Sequence, residues 1–154
     1  LLEQKGMGNM ASDFLMASGK LAALLYKEDI ERVLRTPGMD GFQLLDLRDY
    51  QAQGSALIGL LNAFWDSKGL ITPEKFRQSC NDVTLLLKMP KRTWKNQETF
   101  IGEVVIPNYS KHDLDDIHIY WDVLCDDHVV YADSLELNRI PQGQVFSCGH
   151  INFP

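Results

Sequence analysis

The segment GFQLLDLRDYQAQG, residues 41–54, decides how the first half of the chain is interpreted. Its apolar run is too short for a helix and is typical of a buried strand over 42–47. Asp46, Arg48 and Asp49 lie at the end of that run. In barrels of alternating strands and helices, binding and catalytic groups lie where strands end. From periodicity alone the favoured interpretation is that Arg48 pairs with an aspartate to close a buried strand end; the alternative is that these terminal charges face a ligand.

Helical patterns lie on both sides of this segment. Residues 12–35 predict an amphipathic helix that begins at the N-cap Ser12 and ends before Pro37. Helical spacing returns over 55–66, and Pro73 at a first helical position predicts a short third helix. A helix–strand–helix order with short connections is typical of α/β repeats.

After about residue 83 the apolar period changes from helical spacing to alternation. In DIHIYWDVLC, residues 116–125, one face is apolar and the other is polar; the apolar residues are Ile117, Ile119, Trp121, Val123 and Cys125. A turn at 126–128 and further strand patterns at 129–132, 134–140 and 144–153 predict an antiparallel sandwich. The predicted fold class is thus α+β: an α/β segment over 1–83, a linker over 84–98 and a β-sandwich over 99–154.

Composition and net charge limit the classes of molecule that this chain is expected to bind. The chain has 154 residues, of which 45% are hydrophobic, so it can bury a sizeable core. Its net charge of −6 predicts neither a nucleic-acid partner nor an anionic membrane surface. No apolar run approaches the roughly 18 residues of a membrane span. The first residues do not resemble a signal peptide, and because the chain opens on Leu1 rather than Met we expect a piece of a longer protein.

The sequence predicts no catalytic residue, no cofactor and no metal of its own. None of the seven glutamates follows an apolar strand, and no phosphate-binding loop, dinucleotide glycine motif or zinc-protease motif is present. Three widely spaced cysteines indicate free thiols rather than a disulfide framework or a zinc site. A weak cation site at His112 with Asp113, Asp115 and Asp116 is less favoured than a solvated turn.

The motif Phe64-Trp65-Asp66 adds an aromatic candidate. An aromatic side chain near a binding face can stack on a sugar ring, whereas the more common role of such a pair is core packing at a helix end.

The stretch GFQLLDLRDYQAQGSALIGLLNAFWDSKGLITPEKFR, residues 41–77, resembles the end of the catalytic barrel in glycoside hydrolase family 2-like enzymes of the β-galactosidase type, as found in Bacteroidetes. The upstream helix and the exit segment MPKRTWKNQETF are also similar to that family, so the resemblance covers about residues 12–100. Ala52 stands where relatives often have glycine. Beyond residue 100 the likeness is one of strand pattern alone.

The resemblance implies that 41–47 is the eighth barrel strand and 48–54 its loop, leading into an immunoglobulin-like sandwich. It implies carbohydrate contacts through four residues: Asp46, Asp49, Gln53 and Trp65. It also implies that the acid/base and the nucleophile, both glutamates, lie on earlier strands before Leu1, so that the parent protein is a retaining glycosidase while this piece is inactive. A periplasmic or secreted location follows if the resemblance holds.

Two other functions remain open. A non-catalytic carbohydrate-binding module would present Trp94, Tyr109 or Tyr120 as a flat platform. A protein-interaction module would use an exposed strand edge. Because a partial barrel leaves its edge and helix faces uncovered, we expect the rest of the barrel, another chain or a second copy of this chain as a partner.

Overall fold

A computed structural model describes residues 1–39, 41–51 and 56–154. It contains a long helix α1, a short helix α2 and five strands, together with two single 3₁₀ turns at Glu3–Lys5 and Gly8–Met10. The bounds are α1 Ala11–Leu34, α2 Pro73–Arg77, β1 Leu86–Lys88, β2 Phe100–Asn108, β3 Leu114–Cys125, β4 His128–Ile140 and β5 Gln144–Phe153. The chain is therefore a mixed α+β protein with more strand than helix.

The described residues form two compact units. The first comprises Leu1–Arg32 and Gly41–Cys80, and the second comprises the other described residues, including all five strands. Within the described part of the chain, no helix combines the length and the apolar character needed to cross a membrane.

Both outer helix predictions are confirmed. Helix α1 spans the predicted region and buries Ala23 and Ile30, although it begins at Ala11, so that Ser12 lies inside it rather than at the predicted N-cap. Helix α2 begins where Pro73 predicts, because Thr72 caps it by accepting the Lys75 N–H at 3.3 Å. However, much of the apolar stripe of α1 is exposed, namely Phe14, Leu15, Leu21, Leu24 and Leu25.

The predictions of a strand over 42–47 and a helix over 55–66 are wrong for the described residues. Residues 41–47 are irregular, and pairing starts only at a parallel bridge between Arg48 and Leu61. A strand is stabilised by its ladder, and this stretch has only the short contact around Leu61, whose N–H donates to the Leu47 carbonyl at 3.1 Å.

The helical spacing after residue 55 fails for a local reason. The Asn62 side-chain oxygen accepts the backbone N–H groups of Phe64 and Asp66 at 2.8 and 2.9 Å. This turn competes with the helical hydrogen bonds of the same amides. Trp65 has a positive φ of 72°, which is incompatible with a continuing right-handed helix.

The second unit contains two antiparallel sheets, with strand orders β1-β2-β5 and β3-β4. Strand β2 pairs with β5 along its whole length, from Phe100 opposite Phe153 to Asn108 opposite Gln144. The two sheets share a core, and its buried members are Val104, Ile106, Ile119, Ile140, Cys148 and Ile151. This arrangement is compatible with a β-sandwich.

The β3–β4 hairpin confirms the predicted alternation, with Ile119 buried and Tyr120 exposed. Asp126 and Asp127 have φ values of 47° and 63°, as a two-residue type I′ turn requires. The two strand patterns predicted after this turn form one continuous strand, β4. Cys125 departs from the prediction: it is exposed, at the end of the hairpin beyond a register shift after Val123.

Candidate functional site

A cavity of about 490 Å³ lies within the first unit, between α1 and the segment from 49 to 70. Most of its lining is apolar, and the polar exceptions are Ser18, Asp49 and Lys68. The apolar lining consists of Leu15, Met16, Gly19, Ala22, Leu57, Ile58, Gly59 and Leu70. Cavities of this size and character are typical of small-molecule sites.

An ion pair forms the polar part of this cavity. Nζ of Lys68 lies 2.5 Å from Oδ1 of Asp49, and the same oxygen accepts the Gly59 N–H at 3.0 Å. The Asp49 side chain is 8% exposed and that of Lys68 is 25% exposed. The Asp49 carboxylate is thus buried, charge-paired and fixed by a backbone donor from a different segment.

Gly59 permits this geometry because two backbone segments meet there. A Cβ atom at this position would lie 2.3 Å from the carbonyl carbon of Arg48 and 2.5 Å from the Asp49 nitrogen. Real Cβ atoms do not approach backbone so closely, so a side chain at residue 59 would push the two segments apart.

Arg48 contacts two backbone carbonyls and the ring of Trp65, all within the first unit. Its guanidinium donates to the carbonyls of Asp49 and Ala63 at 3.2 and 3.5 Å. Its Cζ also lies 5.4 Å from the centre of the Trp65 ring, within cation–π distance. Arg48 therefore donates to backbone carbonyls, and its contacts in the described structure do not include the predicted pairing with an aspartate carboxylate.

Of the three predicted carbohydrate contacts that the structure describes, Asp49 alone is a described lining residue of this cavity. Asp49 lines the cavity, whereas Asp46 and Trp65 are not among its described lining residues. Trp65 is 63% exposed. Gln53 lies outside the described residues.

Asp46 lies near the hydroxyl group of Tyr26 rather than at the cavity. It is half-buried, with a φ of 62°, a conformation that aspartate tolerates better than most residues. Burial, and secondarily the negative charge of Asp46, raise the pKa of the Tyr26 hydroxyl.

Sequence reasoning missed Lys68 and Gly59. Lys68 lies 19 residues from Asp49 and belongs to no motif. Gly59 did leave a signal, because an isolated glycine inside an apolar run indicates a close backbone approach.

No protein-family model matches this chain. A search against curated proteins likewise finds no match.

The acidic cluster at 112–116 takes part in a structural contact. Asp113 pairs with Arg139 and accepts the Gln142 N–H at 2.7 Å. The Gln142 N–H and the Arg139 guanidinium hold the pKa of the Asp113 carboxyl below its usual value. Among the described residues, no group of three or more metal-binding side chains is found.

Two glutamates of the second unit are fixed by neighbours. Glu98 pairs with Lys91 at 2.5 Å and accepts the Lys95 N–H. Glu103 accepts the Ser147 hydroxyl at 2.7 Å and lies 3.3 Å from the Lys88 ammonium. These contacts lower the pKa of both carboxyls. A carboxyl with a lowered pKa is ionised at neutral pH and is poorly suited to act as a general acid.

The candidate platform aromatics of the second unit have different environments. Trp94 is half-buried under Lys91, whose ammonium lies 4.5 Å from the ring centre. The Tyr109 hydroxyl donates to the Met39 carbonyl at 3.3 Å. Tyr120, at 77% exposure, is by far the most accessible of the three and lies parallel to His118.

Proposed function

We propose that this chain supplies a carbohydrate-binding part of a retaining glycoside hydrolase of the β-galactosidase type and does not itself contain the catalytic glutamates. Residues 1–83 would be the C-terminal part of the barrel, and 99–154 would be an immunoglobulin-like sandwich. The proposal rests on the sequence resemblance over residues 12–100 together with the position of Asp49.

The observation that supports it best is the fixed carboxylate of Asp49. Sugar hydroxyls are recognised by hydrogen-bonding groups that are held in place before the ligand arrives. Asp49 is such a group, since the Gly59 N–H and Lys68 hold it at the edge of a cavity. The exposed ring of Trp65, oriented beside Arg48, offers a second contact of the kind that stacks on a sugar ring.

The exposed stripe of α1 fits the same proposal. In a (β/α)₈ barrel each helix packs its apolar face on the central sheet. Leu15, Leu21 and Leu24 are 72%, 57% and 60% exposed, as expected of a barrel helix without its neighbouring strands.

Turnover by this chain is not expected. A retaining mechanism needs two carboxyl groups about 5–5.5 Å apart, one of them able to donate a proton. Glu98 and Glu103 are ionised and paired, and Glu74 lies at the start of α2, where hydrogen bonds lower its pKa. Incubation with an aryl β-galactoside should therefore release no phenol, and turnover that disappears on substitution of one of these glutamates would contradict this assignment.

Binding of methyl β-galactoside, followed by amide chemical shifts, tests the proposal directly. We expect weak binding, about 10 mM or tighter, with shifts at Asp49, Gly59 and Trp65. Trp65→Ala should weaken binding, whereas Tyr120→Ala, which removes an exposed aromatic from the second unit, should not. Shifts confined to the β strands would favour a binding module of the sandwich instead, and no shifts at all would refute carbohydrate binding.

A second candidate, a protein-interaction module, is favoured by the end of the β3–β4 hairpin. Leu124, Val129 and Val130 are between 54% and 57% exposed there, an unusual density of exposed apolar side chains. Residues 114–140 also contain seven carboxylates and one arginine. If two copies associate through this hairpin, salt should strengthen the association because it screens the like charges. Sedimentation velocity at low and high salt checks this, and a monomer under both conditions excludes self-association.

A further inference from the structure

The cavity of the first unit combines a large apolar surface with one neutral ion pair, Asp49–Lys68, and the uncharged side chain of Ser18. Its volume of about 490 Å³ exceeds the roughly 150 Å³ of an apolar cavity that admits benzene. Leucine, isoleucine and methionine side chains from α1 and from 57–70 surround it. A molecule that fills it must therefore have an apolar body of more than one small ring.

The ion pair restricts the charge of that molecule. Asp49 and Lys68 neutralise each other at 2.5 Å in a largely buried position. An additional net charge beside them would be desolvated without a matching partner, which is costly. A neutral ligand avoids that cost.

The pair also determines the polar group of the ligand. The Lys68 ammonium can only donate hydrogen bonds, and the Asp49 carboxylate can only accept them. A hydroxyl group does both with one oxygen atom, so it can accept from Lys68 and donate to Asp49 at once. An amide would bring two polar groups into the apolar lining and would cost more to desolvate.

We propose that this cavity is a binding site for a neutral alcohol or phenol with an apolar body, seated between α1 and residues 57–70, with its hydroxyl on the Asp49–Lys68 pair. The proposal goes beyond carbohydrate binding, since it rests on the apolar lining and requires no sugar.

Three ligands with one ring system test it on the full chain: 2-naphthol, naphthalene and 2-naphthoate. Amide and methyl signals of Leu15, Ile58 and Leu70 report on occupancy. We expect 2-naphthol to bind about tenfold more tightly than naphthalene, because its hydroxyl adds one hydrogen-bonding group. We expect 2-naphthoate, which carries a net charge, to bind more weakly than 2-naphthol. Equal affinity for naphthol and naphthalene would overturn the role of the ion pair.

Two pairs of variants locate the site. Ala22→Phe fills the cavity and should abolish binding, whereas Ala17→Phe makes the same change at an exposed position of α1 and should not. Lys68→Met should keep naphthalene binding and remove the preference for naphthol. Because Ala22→Phe and Lys68→Met both alter the interior of the unit, circular dichroism verifies the fold of each variant, and the three-ligand comparison on the unaltered chain decides the question without them.

Methyl β-galactoside separates this inference from the proposed function. Shifts of the cavity signals by the galactoside but not by 2-naphthol would overturn the inference and leave the proposed function standing. Binding of 2-naphthol without any response to the galactoside would support the inference and count against the proposed function.

Discussion

The ammonium of Lys68 lies 2.5 Å from the Asp49 carboxylate, although 19 residues separate them in the chain. The same carboxylate oxygen accepts the Gly59 N–H. Three distant points of the chain are therefore joined at one buried atom, and the described residues between them, 50–51 and 56–67, form neither a continuous strand nor a helix. Because regular backbone hydrogen bonds are few in these residues, the buried contact contributes strongly to holding them in one conformation.

Removing the cation tests this role. Lys68→Met leaves the Asp49 charge buried with the Gly59 N–H as its remaining partner, so we expect a loss of about 2–3 kcal/mol in the free energy of unfolding. Lys27→Met makes the same change in the i,i+4 pair with Glu31, in which the lysine side chain is 41% exposed and that of Glu31 13%, and should cost at most about 0.5 kcal/mol. Urea unfolding of both variants measures the difference, and equal losses would show that the buried pair has no special weight.

Gly59→Ala should disrupt the same contact without altering a charge. The new Cβ would lie 2.3 Å from backbone, so residues 48–49 must move away from residue 59 and the N–H to carboxylate bond must lengthen. We expect a loss of more than about 2 kcal/mol, within the range of overpacking and strained backbone.

Gly8→Ala is the control for that variant. The atom nearest to its Cβ would be Cγ of the flexible Glu3 side chain at 3.0 Å, and the backbone Cα of Glu3 would lie at an ordinary contact distance of 3.5 Å. Thermal unfolding should show a much smaller change for Gly8→Ala than for Gly59→Ala. Similar changes in the two variants would mean that the close approach at Gly59 relaxes easily.

The second unit was more predictable from sequence than the first, and the reason is physical. Alternating apolar residues in 116–125 specify both a strand and its buried face, so the hairpin and its contribution to the core follow from local pattern. The apolar run at 42–47 does not alternate, and whether such a run forms a strand depends on neighbours that sequence periodicity does not supply.

The candidate site was predictable only in part for a related reason. Asp49 was predicted as a site residue because it follows an apolar run. Lys68 and Gly59 contact it only in the folded chain, and no regular sequence spacing relates them to Asp49. The helix predicted over 55–66 failed because the Asn62 side chain forms hydrogen bonds with the backbone that a periodicity argument does not count.

Glu103 should make the stability of the second unit depend on pH. The Ser147 hydroxyl, followed by Lys88, lowers its pKa in the folded state below the ordinary 4.5. The unfolded chain therefore binds a proton more readily, so the stabilisation is present above pH 4.5 and disappears as the pH falls through the lower, folded-state pKa.

Glu103→Gln should remove this dependence. At pH 7 we expect the variant to be about 1 kcal/mol less stable, the typical contribution of such a hydrogen bond, and at strongly acidic pH the gap should close. Urea unfolding at several pH values provides the test. Glu3→Gln, at an exposed position near the N-terminus, is the matched control and should change the free energy of unfolding at pH 7 by much less than Glu103→Gln. A gap that persists at acidic pH would show that the effect is packing rather than charge.

The cysteines should differ strongly in reactivity. Cys148 lies in the core of the second unit at a register shift opposite Val104 and Val105, and burial raises the pKa of its thiol to about 11. Cys125 is exposed at the end of the hairpin. Because the thiolate is the reacting species, a pKa rise from the ordinary 9.0 to about 11 lowers the alkylation rate by about two orders of magnitude, and burial lowers it further. Mass spectrometry after timed iodoacetamide labelling should show Cys125 modified first and Cys148 last. In guanidinium chloride the two rates should converge, and early labelling of Cys148 in the native protein would mean that the sheet core opens readily.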